Sequence, residues 1–380
     1  MSAARPSIII RTALIAVALG AAFFPFPQAW VERFYSRDVY LLIERHVTPL
    51  SNAAPWALFD VLIVCGLFLL IVGWTVGLTR VGRTRRVRRV PALLFTTAAV
   101  CAAVYLVFLG MWGLNYRRVP LIDKLQYEPG LITPGAQRAL VSEAASALNA
   151  LYAARESAEY PAIGRVPDSL ARAFVDVQRE LGVRYPAQPG VPKHTILQPY
   201  FSRAAVDGMT DPFLLETLVD DQLLPYERPF VIAHEWAHLA GYADESEANF
   251  IGWLTCLRSD AADQYSGWQF LYEQGLIGLT AADRTAADRM LAPGPRQDLI
   301  AVRSRVLRGL SPWMQQTGWR IYDHYLKANN VAAGIGSYDA VIRLVLGTRF
   351  GPDWRPLIKS DPMGEQAAHP ASDRLRGPLS

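Results

Sequence analysis

Three long apolar runs in the first 115 residues, at 12–31, 56–78 and 91–114, constrain the fold most strongly. A helix needs about 20 apolar residues to cross a bilayer, and each run reaches that length. The second run contains a single acid, Asp60, and the third contains no charge. Because core helices of soluble proteins keep a polar face over such a length, the runs predict three transmembrane helices within residues 1–115.

The charges around these runs predict the orientation of the chain. Its net charge is +4, but the loop 79–90 alone carries six arginines: Arg80, Arg83, Arg85, Arg86, Arg88 and Arg89. Short loops rich in arginine stay in the cytoplasm, so we expect a multi-pass protein of the cell (inner) membrane with a cytoplasmic N-terminus and everything after residue 114 outside. Cleavage of the first run as a signal peptide would leave the same outward-facing part. Since the basicity is one short segment rather than a face, no nucleic-acid partner is expected; the partner it indicates is the lipid bilayer.

The rest of the chain has the composition of a water-soluble domain. Residues 116–200 predict a helical segment, with helices at 135–156 and 168–181, followed by a linker at 186–192. Residues 201–350 predict the functional domain, in which helices dominate after position 230. Short β-branched and aromatic runs at 194–201 and 213–218 predict two strands. The proline-rich residues 351–380 predict an unstructured tail.

One segment, PFVIAHEWAHLAG at 229–241, has a pattern typical of metal chemistry. On a helix, His234 and His238 project from one face, at a spacing that suits two ligands of one tetrahedral metal ion. Pro229 favours the first helical turn, and Gly241 favours the left-handed position that ends a helix. Glu235 lies beside the pair, where its carboxylate reaches a metal-bound water. The alternative is a pair of core histidines bonded to backbone carbonyls.

Three acids, Asp244, Glu245 and Glu247, compete for the third ligand position. The Asp-x-x-Glu spacing ahead of the apolar run 248–257 predicts that Asp244 caps a second helix and that Glu247 returns to its N-terminus. Glu245 then remains as the ligand, and Asn249, one turn along the same face, as the amide that orients a ligating histidine. The competing pattern His-Glu-x-x-His-x-x-Gly-x-x-Asp would make Asp244 the ligand. We favour Glu245, because the competing pattern leaves Glu-x-x-Ala-Asn unexplained and the chain lacks a convincing methionine turn.

His-Glu-x-x-His on one helix and Glu-x-x-Ala-Asn on the next resemble the gluzincin metallopeptidases, the class that includes thermolysin and the membrane-embedded prenyl-protein and heat-shock peptidases. The whole layout more closely resembles an uncharacterised bacterial family of three-span membrane proteins, catalogued as a domain of unknown function. That closer resemblance rests on these residues: 112–118, Gly208, 212–213, 234–250, 325–329 and 336–338. It implies a membrane protein in which three transmembrane helices precede a mainly α (α+β), zincin-like extracytoplasmic domain.

The expected function is hydrolysis of peptide bonds in a peptide or protein substrate of the cell envelope. His234, His238 and Glu245 would hold Zn²⁺, and Glu235 would act as the general base. The segment 213–220 is either an edge strand that aligns substrate or an ordinary core strand. Tyr325, Tyr338 and His324 are candidates for stabilising the oxyanion. The alternative function is a non-catalytic, zinc-stabilised membrane scaffold; a transporter is disfavoured by the uncharged spans.

Overall fold

The computed structural model describes residues 4–79, 86–316 and 340–359, and its membrane part is helical. Helix α1 spans Ala4–Phe23, α2 spans Gln28–Asn52, α3 spans Leu58–Thr79 and α4 spans Arg86–Met111. Two helical stretches, Leu58–Thr79 and Arg89–Met111, are long and apolar enough to cross a membrane, and a third is added if the bent pair α1–α2 is one span. The expectation of a membrane protein is therefore confirmed, and the third of the three predicted transmembrane helices depends on whether α1–α2 is one span.

The predicted first span, 12–31, is wrong at its C-terminal end. Helix α1 ends at Phe23, and Val31 already lies in α2, whose axis is bent by 106° from that of α1. Pro25 and Pro27 follow the end of α1. Proline cannot donate the backbone hydrogen bond that continues a helix and disfavours helical geometry in the preceding residue, so two prolines within three residues end α1 here.

Residues 31–55, between the first two predicted spans, are mostly helical. Helix α2 is π-helical over Val31–Val39 and α-helical over Tyr40–Asn52. After α4, short helical turns at Gly113–Arg117, Leu121–Lys124 and Pro129–Leu131 lead into the domain. The connection between membrane helices and domain is therefore short and structured.

The domain is mainly helical. Its helices include α5 (Pro134–Ser157), α6 (Asp168–Glu180), α7 (Gln198–Ala204), α8 (Arg228–Leu239), α9 (Glu245–Leu257), α10 (Ala261–Gly275), α11 (Ala281–Met290), α12 (Pro293–Gly309) and α13 (Ala340–Gly347). One hydrophobic core includes buried residues of α2, the end of α4, and α5, α6, α8, α9, α10 and α13. The helical segment before residue 200 and the part after it thus share one core, with α8 and α9 at its centre.

A small sheet lies beside α8. Strands β1 (Pro192–Lys193), β2 (Gly208–Thr210) and β3 (Thr217–Val219) have the order β1-β3-β2, with β1 parallel and β2 antiparallel to β3. The strand predicted at 194–201 is wrong, because β1 ends at Lys193 and α7 begins at Gln198. The segment 213–220 contains the central strand β3, so its interpretation as an edge strand is wrong; β2 is the edge strand on that side.

The first part of the predicted tail is structured. Residues 352–354 form a 3-10 turn, and Phe350 pairs with Pro356 in an isolated β-bridge. The Trp354 ring packs edge-on against Trp253 at 5.3 Å and Trp268 at 5.8 Å between ring centroids. These aromatic contacts fix 351–359 to the domain, and residues 360–380 lie outside the described part of the chain.

Candidate metal centre

Helix α8 begins and ends where its sequence predicts. Pro229 lies in its first turn, and Gly241, just after its C-terminus, has φ +80°. The Gly241 N–H donates to the carbonyl of His238 and the Tyr242 N–H donates to the carbonyl of Ala237, which closes the helix with a left-handed residue. Because His234 and His238 are one turn apart, their rings lie together, with centroids 4.7 Å apart.

Helix α9 brings the third group to this pair. The Asp244 carboxylate accepts hydrogen bonds from the N–H groups of Ser246 and Glu247, so its predicted capping role is confirmed. Glu247 does not return to the helix start; it accepts a hydrogen bond of 2.5 Å from the N–H of Leu121. The first residue of α9, Glu245, faces the histidines.

Three donor atoms meet at the junction of the two helices. The Nε2 atoms of His234 and His238 are 3.2 Å apart, and the Glu245 carboxylate lies 3.3 Å from the first and 3.7 Å from the second. In a tetrahedral zinc site with bonds of about 2.05 Å, neighbouring ligand atoms are about 3.3 Å apart. Two imidazoles and one carboxylate at these separations fit a single zinc ion. The acid that lies beside the two histidines is Glu245 rather than Asp244.

The ring of His238 is held on its opposite side. Its Nδ1 lies 2.7 Å from the carbonyl oxygen of Tyr242, which accepts a hydrogen bond from a protonated Nδ1 and leaves Nε2 directed at the cluster. The Nδ1 of His234 is buried and has no partner among the described residues. Asn249 is half-buried, and within the described residues it bonds to neither histidine. The backbone carbonyl of Tyr242, not Asn249, therefore orients the ring of His238.

The charges in the cluster stabilise one another. Burial alone would raise the pKa of Glu245, but His238 and His234 outweigh it and lower that pKa well below its usual value. Burial alone would lower the pKa of His238, yet the Glu245 carboxylate raises it to about 9. The side chain of Glu245 is 40% exposed, whereas those of His234 and His238 are 13% and 10% exposed. The cluster is therefore open to solvent on the Glu245 side.

The side chain of Glu235, on α8, packs against the edge strand β2. Its side chain is buried, and the Thr210 hydroxyl lies 2.9 Å from its Oε2 and 2.8 Å from its backbone carbonyl oxygen. A Cβ atom at Gly208 would lie 2.7 Å from Oε1 of Glu235, so a larger residue there would displace this carboxylate from its position. Burial raises the pKa of Glu235, whereas His234 and His238 act to lower it.

Sequence reasoning missed the part that Gly208 and Thr210 play beside Glu235. Gly208 counted only toward the family resemblance, and Thr210 is separated from Glu235 by 25 positions. No local pattern identifies a hydroxyl that reaches a helix from so far along the chain. The short strand just ahead of the helix was the only available signal, and it was assigned to the wrong segment.

Arg118 supports the turn that joins the two ligand-bearing helices. Its guanidinium donates to the Gly241 carbonyl at 2.9 Å and to both oxygens of Glu32 on α2, at 3.0 and 3.1 Å. Lys124 also contacts Glu32, at 2.5 Å. A buried cation thus connects α2 to the backbone between the metal-ligand candidates. The oxyanion candidates Tyr325, Tyr338 and His324 lie outside the described residues.

Comparison with known proteins identifies a family for most of the chain. No curated protein and no solved structure matches it. Residues 35–346 match the family described as "Protein of unknown function (DUF3810)". This match runs from within α2 to within α13 and includes the histidine helix α8 and the apolar helix α4. The chain therefore belongs to this family of proteins of unknown function.

Proposed function

We propose that the protein is a membrane-anchored, zinc-dependent metallopeptidase that hydrolyses peptide bonds on the extracytoplasmic side of the membrane. The observation that carries the proposal is the meeting of two imidazoles and one carboxylate at separations of 3.2, 3.3 and 3.7 Å. A purely structural site has no need of the buried carboxylate of Glu235 next to the two histidines. Its presence favours catalysis over a scaffold.

The residues divide the chemistry between them. His234, His238 and Glu245 would hold Zn²⁺, which as a Lewis acid polarises a carbonyl and lowers the pKa of a water toward neutrality. Glu235 accepts the proton of the attacking water and passes it to the leaving amine. Thr210 bonds to Oε2 of Glu235, and Oε1 lies beside Gly208, so both neighbours restrict where the carboxylate can move. Strand β2 is the edge strand beside α8 and is suited to align an extended substrate by main-chain pairing.

The placement of the site outside the cytoplasm rests on the arginine loop. Asp60, at the start of α3, accepts hydrogen bonds from Thr195 and Ile196 of the domain, and Trp112, just after α4, bonds to the carbonyl of His238. The domain therefore contacts the ends of α3 and α4 that lie opposite the loop 79–90. Because arginine-rich loops stay inside, the domain is expected outside.

The test compares the full-length protein with its Glu235→Gln variant, using bound metal and cleavage of a peptide library as readouts. The full chain is required because α2 forms part of the domain core. We expect one zinc per chain in both proteins, and cleavage by the wild type only. Glu156→Gln, at an exposed position of α5, is the matched control and should cleave normally.

Two outcomes would overturn the proposal. Stoichiometric zinc without cleavage of any peptide would identify the scaffold. Absence of bound metal in the wild type would exclude a metal centre altogether.

A further inference from the structure

Helix α2 has two unlike faces. Its inner face is buried in the domain core, where Tyr40 donates a 2.7 Å hydrogen bond to the carbonyl of Leu239 at the end of α8. Its outer face exposes large apolar side chains: Trp30, Phe34, Leu42 and Leu50, which are 46–72% exposed. The opposite face of the same helix is buried in the domain core. An exposed apolar face of this extent therefore indicates contact with a non-aqueous environment.

The position of α2 indicates which environment this is. One end of each apolar helix is fixed to the same side of the domain. Arg117 donates to three carbonyls at the end of α1, and the Tyr35 hydroxyl of α2 bonds to the carbonyl of Gly110 near the end of α4. The Glu216 carboxylate accepts from the first N–H groups of α3. Helix α2 therefore lies at the level where the membrane helices leave the bilayer.

The direction of α2 is also consistent with a position at the membrane surface. A helix bent by 106° from the axis of α1 runs along the membrane surface when α1 crosses the membrane. The aromatic side chains of Phe24 and Trp56, both more than half exposed, flank its two ends. Exposed Arg33 and Arg45 lie on the same helix. Aromatic and basic residues around an apolar face are the composition of helices that lie at the headgroup layer.

The metal centre lies close to the same level. Trp112 directly follows α4, and its ring centroid is 6.2 Å from that of His238. Its indole N–H donates to the His238 carbonyl at 2.9 Å. One side chain therefore separates the candidate ligand from the end of a membrane helix.

We propose that α2 lies in the headgroup layer of the leaflet on the domain side, and that it holds the metal centre at the membrane surface. The occupant of the exposed face is lipid, because the face continues directly from three helix ends and carries basic residues suited to anionic headgroups. The position of α2 is independent of catalysis and of bound metal, whereas the placement of a metal centre at the surface rests on the proposed function.

The test uses nitroxide labels on single cysteines of the full-length protein, in phosphatidylcholine–phosphatidylglycerol nanodiscs that hold one copy each. Cys65 and Cys101 are replaced by alanine, since both are exposed, and the buried Cys256 is kept. Labels at Leu42 and Leu50 are compared with a label at the exposed Ser146 of α5. Collision rates with oxygen and with a water-soluble nickel chelate report immersion in lipid.

We expect the labels at Leu42 and Leu50 to collide with oxygen in preference to nickel, with nickel accessibility at least about five-fold lower than at Ser146. Equal nickel accessibility at the three positions would overturn the proposal. Protection that appears only in densely loaded vesicles, together with spin–spin broadening between chains, would show a second copy on this face and would also overturn it. Unchanged melting temperatures of the labelled proteins confirm that each is folded.

Discussion

Both ends of α8 are held by a buried arginine, but the two arginines hold different groups. At the N-terminal end, Arg305 of α12 bonds to the carboxylates of Glu227 and Asp207 and lies 3.7 Å from Asp220. At the C-terminal end, Arg118 bonds to one carboxylate and to the backbone carbonyl of Gly241. The first arginine neutralises an excess of acids, whereas the second fixes the turn between the two helices that carry the metal-ligand candidates.

This difference separates stability from site geometry. Loss of the first arginine leaves buried carboxylates without a cation, which raises the free energy of the folded state. Loss of Arg118 leaves Glu32 paired with Lys124, so less buried charge is left uncompensated than after loss of Arg305. The turn before Glu245, however, loses the hydrogen bond that supports it. Substitutions at the two ends should therefore have different effects on unfolding and on metal affinity.

Arg305→Met is expected to have the largest effect on stability. It should lower the free energy of unfolding by about 3–5 kcal/mol, because the carboxylate of Glu227 remains buried and unpaired. Zinc affinity of the protein that remains folded should stay within about two-fold of wild type. Arg179→Met, which removes an exposed pair with Asp176, is the control and should change stability by about 0–1 kcal/mol. Thermal unfolding in detergent measures both, and equal effects of the two substitutions would contradict the account.

Arg118→Met should lower stability less, by about 2 kcal/mol, but weaken zinc binding about 10- to 100-fold, since groups that position metal ligands have effects of this size. Competition with a zinc chelator measures the affinity. A variant with normal zinc affinity would show that Arg118 stabilises the fold without positioning the site.

Gly241→Ala tests the same turn through the backbone. The residue has φ +80°, and an added Cβ would lie 3.0 Å from the Asn115 side-chain oxygen and from the Tyr40 ring. Gly182→Ala is the matched control, because φ is +77° there and the nearest atom, on Ile358, is 4.0 Å away. Backbone strain should lower the free energy of unfolding by about 1 kcal/mol in both variants. Crowding should lower it by about 1 kcal/mol more in Gly241→Ala. Equal losses in urea unfolding would exclude crowding at the turn.

The smallest effect concerns the acids at the N-terminal end of α8. Burial raises the pKa of Glu273 to about 7, and the carboxylates of Glu227 and Asp207 add to the shift. In the unfolded chain the pKa is about 4.5, so between these values the folded state binds more protons. Stability should therefore fall as the pH rises from about 4.5 to 7, by about 1–2 kcal/mol from this group.

Glu273→Gln cannot ionise and should remove that part of the pH dependence. Melting temperatures at pH 5 and pH 8 measure it, with the exposed Glu156→Gln as control. The same change in melting temperature between pH 5 and pH 8 in the wild type and in Glu273→Gln would contradict the assignment of this pH dependence to Glu273.

The sequence predicted the parts of the site that depend on local spacing. The helix punctuation by Pro229 and Gly241 and the cap by Asp244 are short-range properties of the backbone, and the structure has each of them. Glu247 was misassigned because its partner, the N–H of Leu121, is 126 positions away. A capping pattern indicates which local partner is available, but a distant donor competes for the same carboxylate.

Contacts between distant segments explain the other differences. The order of three strands of two or three residues depends on pairing across the sheet, so Phe213 to Asp220 could not be identified as central from its composition. Helix α2 was missed because its charged residues, such as Glu32 and Arg33, resemble a loop between spans. The 106° bend and the burial of Glu32 against Arg118 appear only once the domain is folded.

The central claim is that His234, His238 and Glu245 together hold one zinc ion. Zinc bound per chain, measured on the full-length protein and on Glu245→Ala and Asp244→Ala, tests it most directly. The account predicts one zinc in the wild type and in Asp244→Ala, and at least about 100-fold weaker binding in Glu245→Ala. Loss of zinc in Asp244→Ala with retention in Glu245→Ala, or no zinc in the wild type, would contradict it.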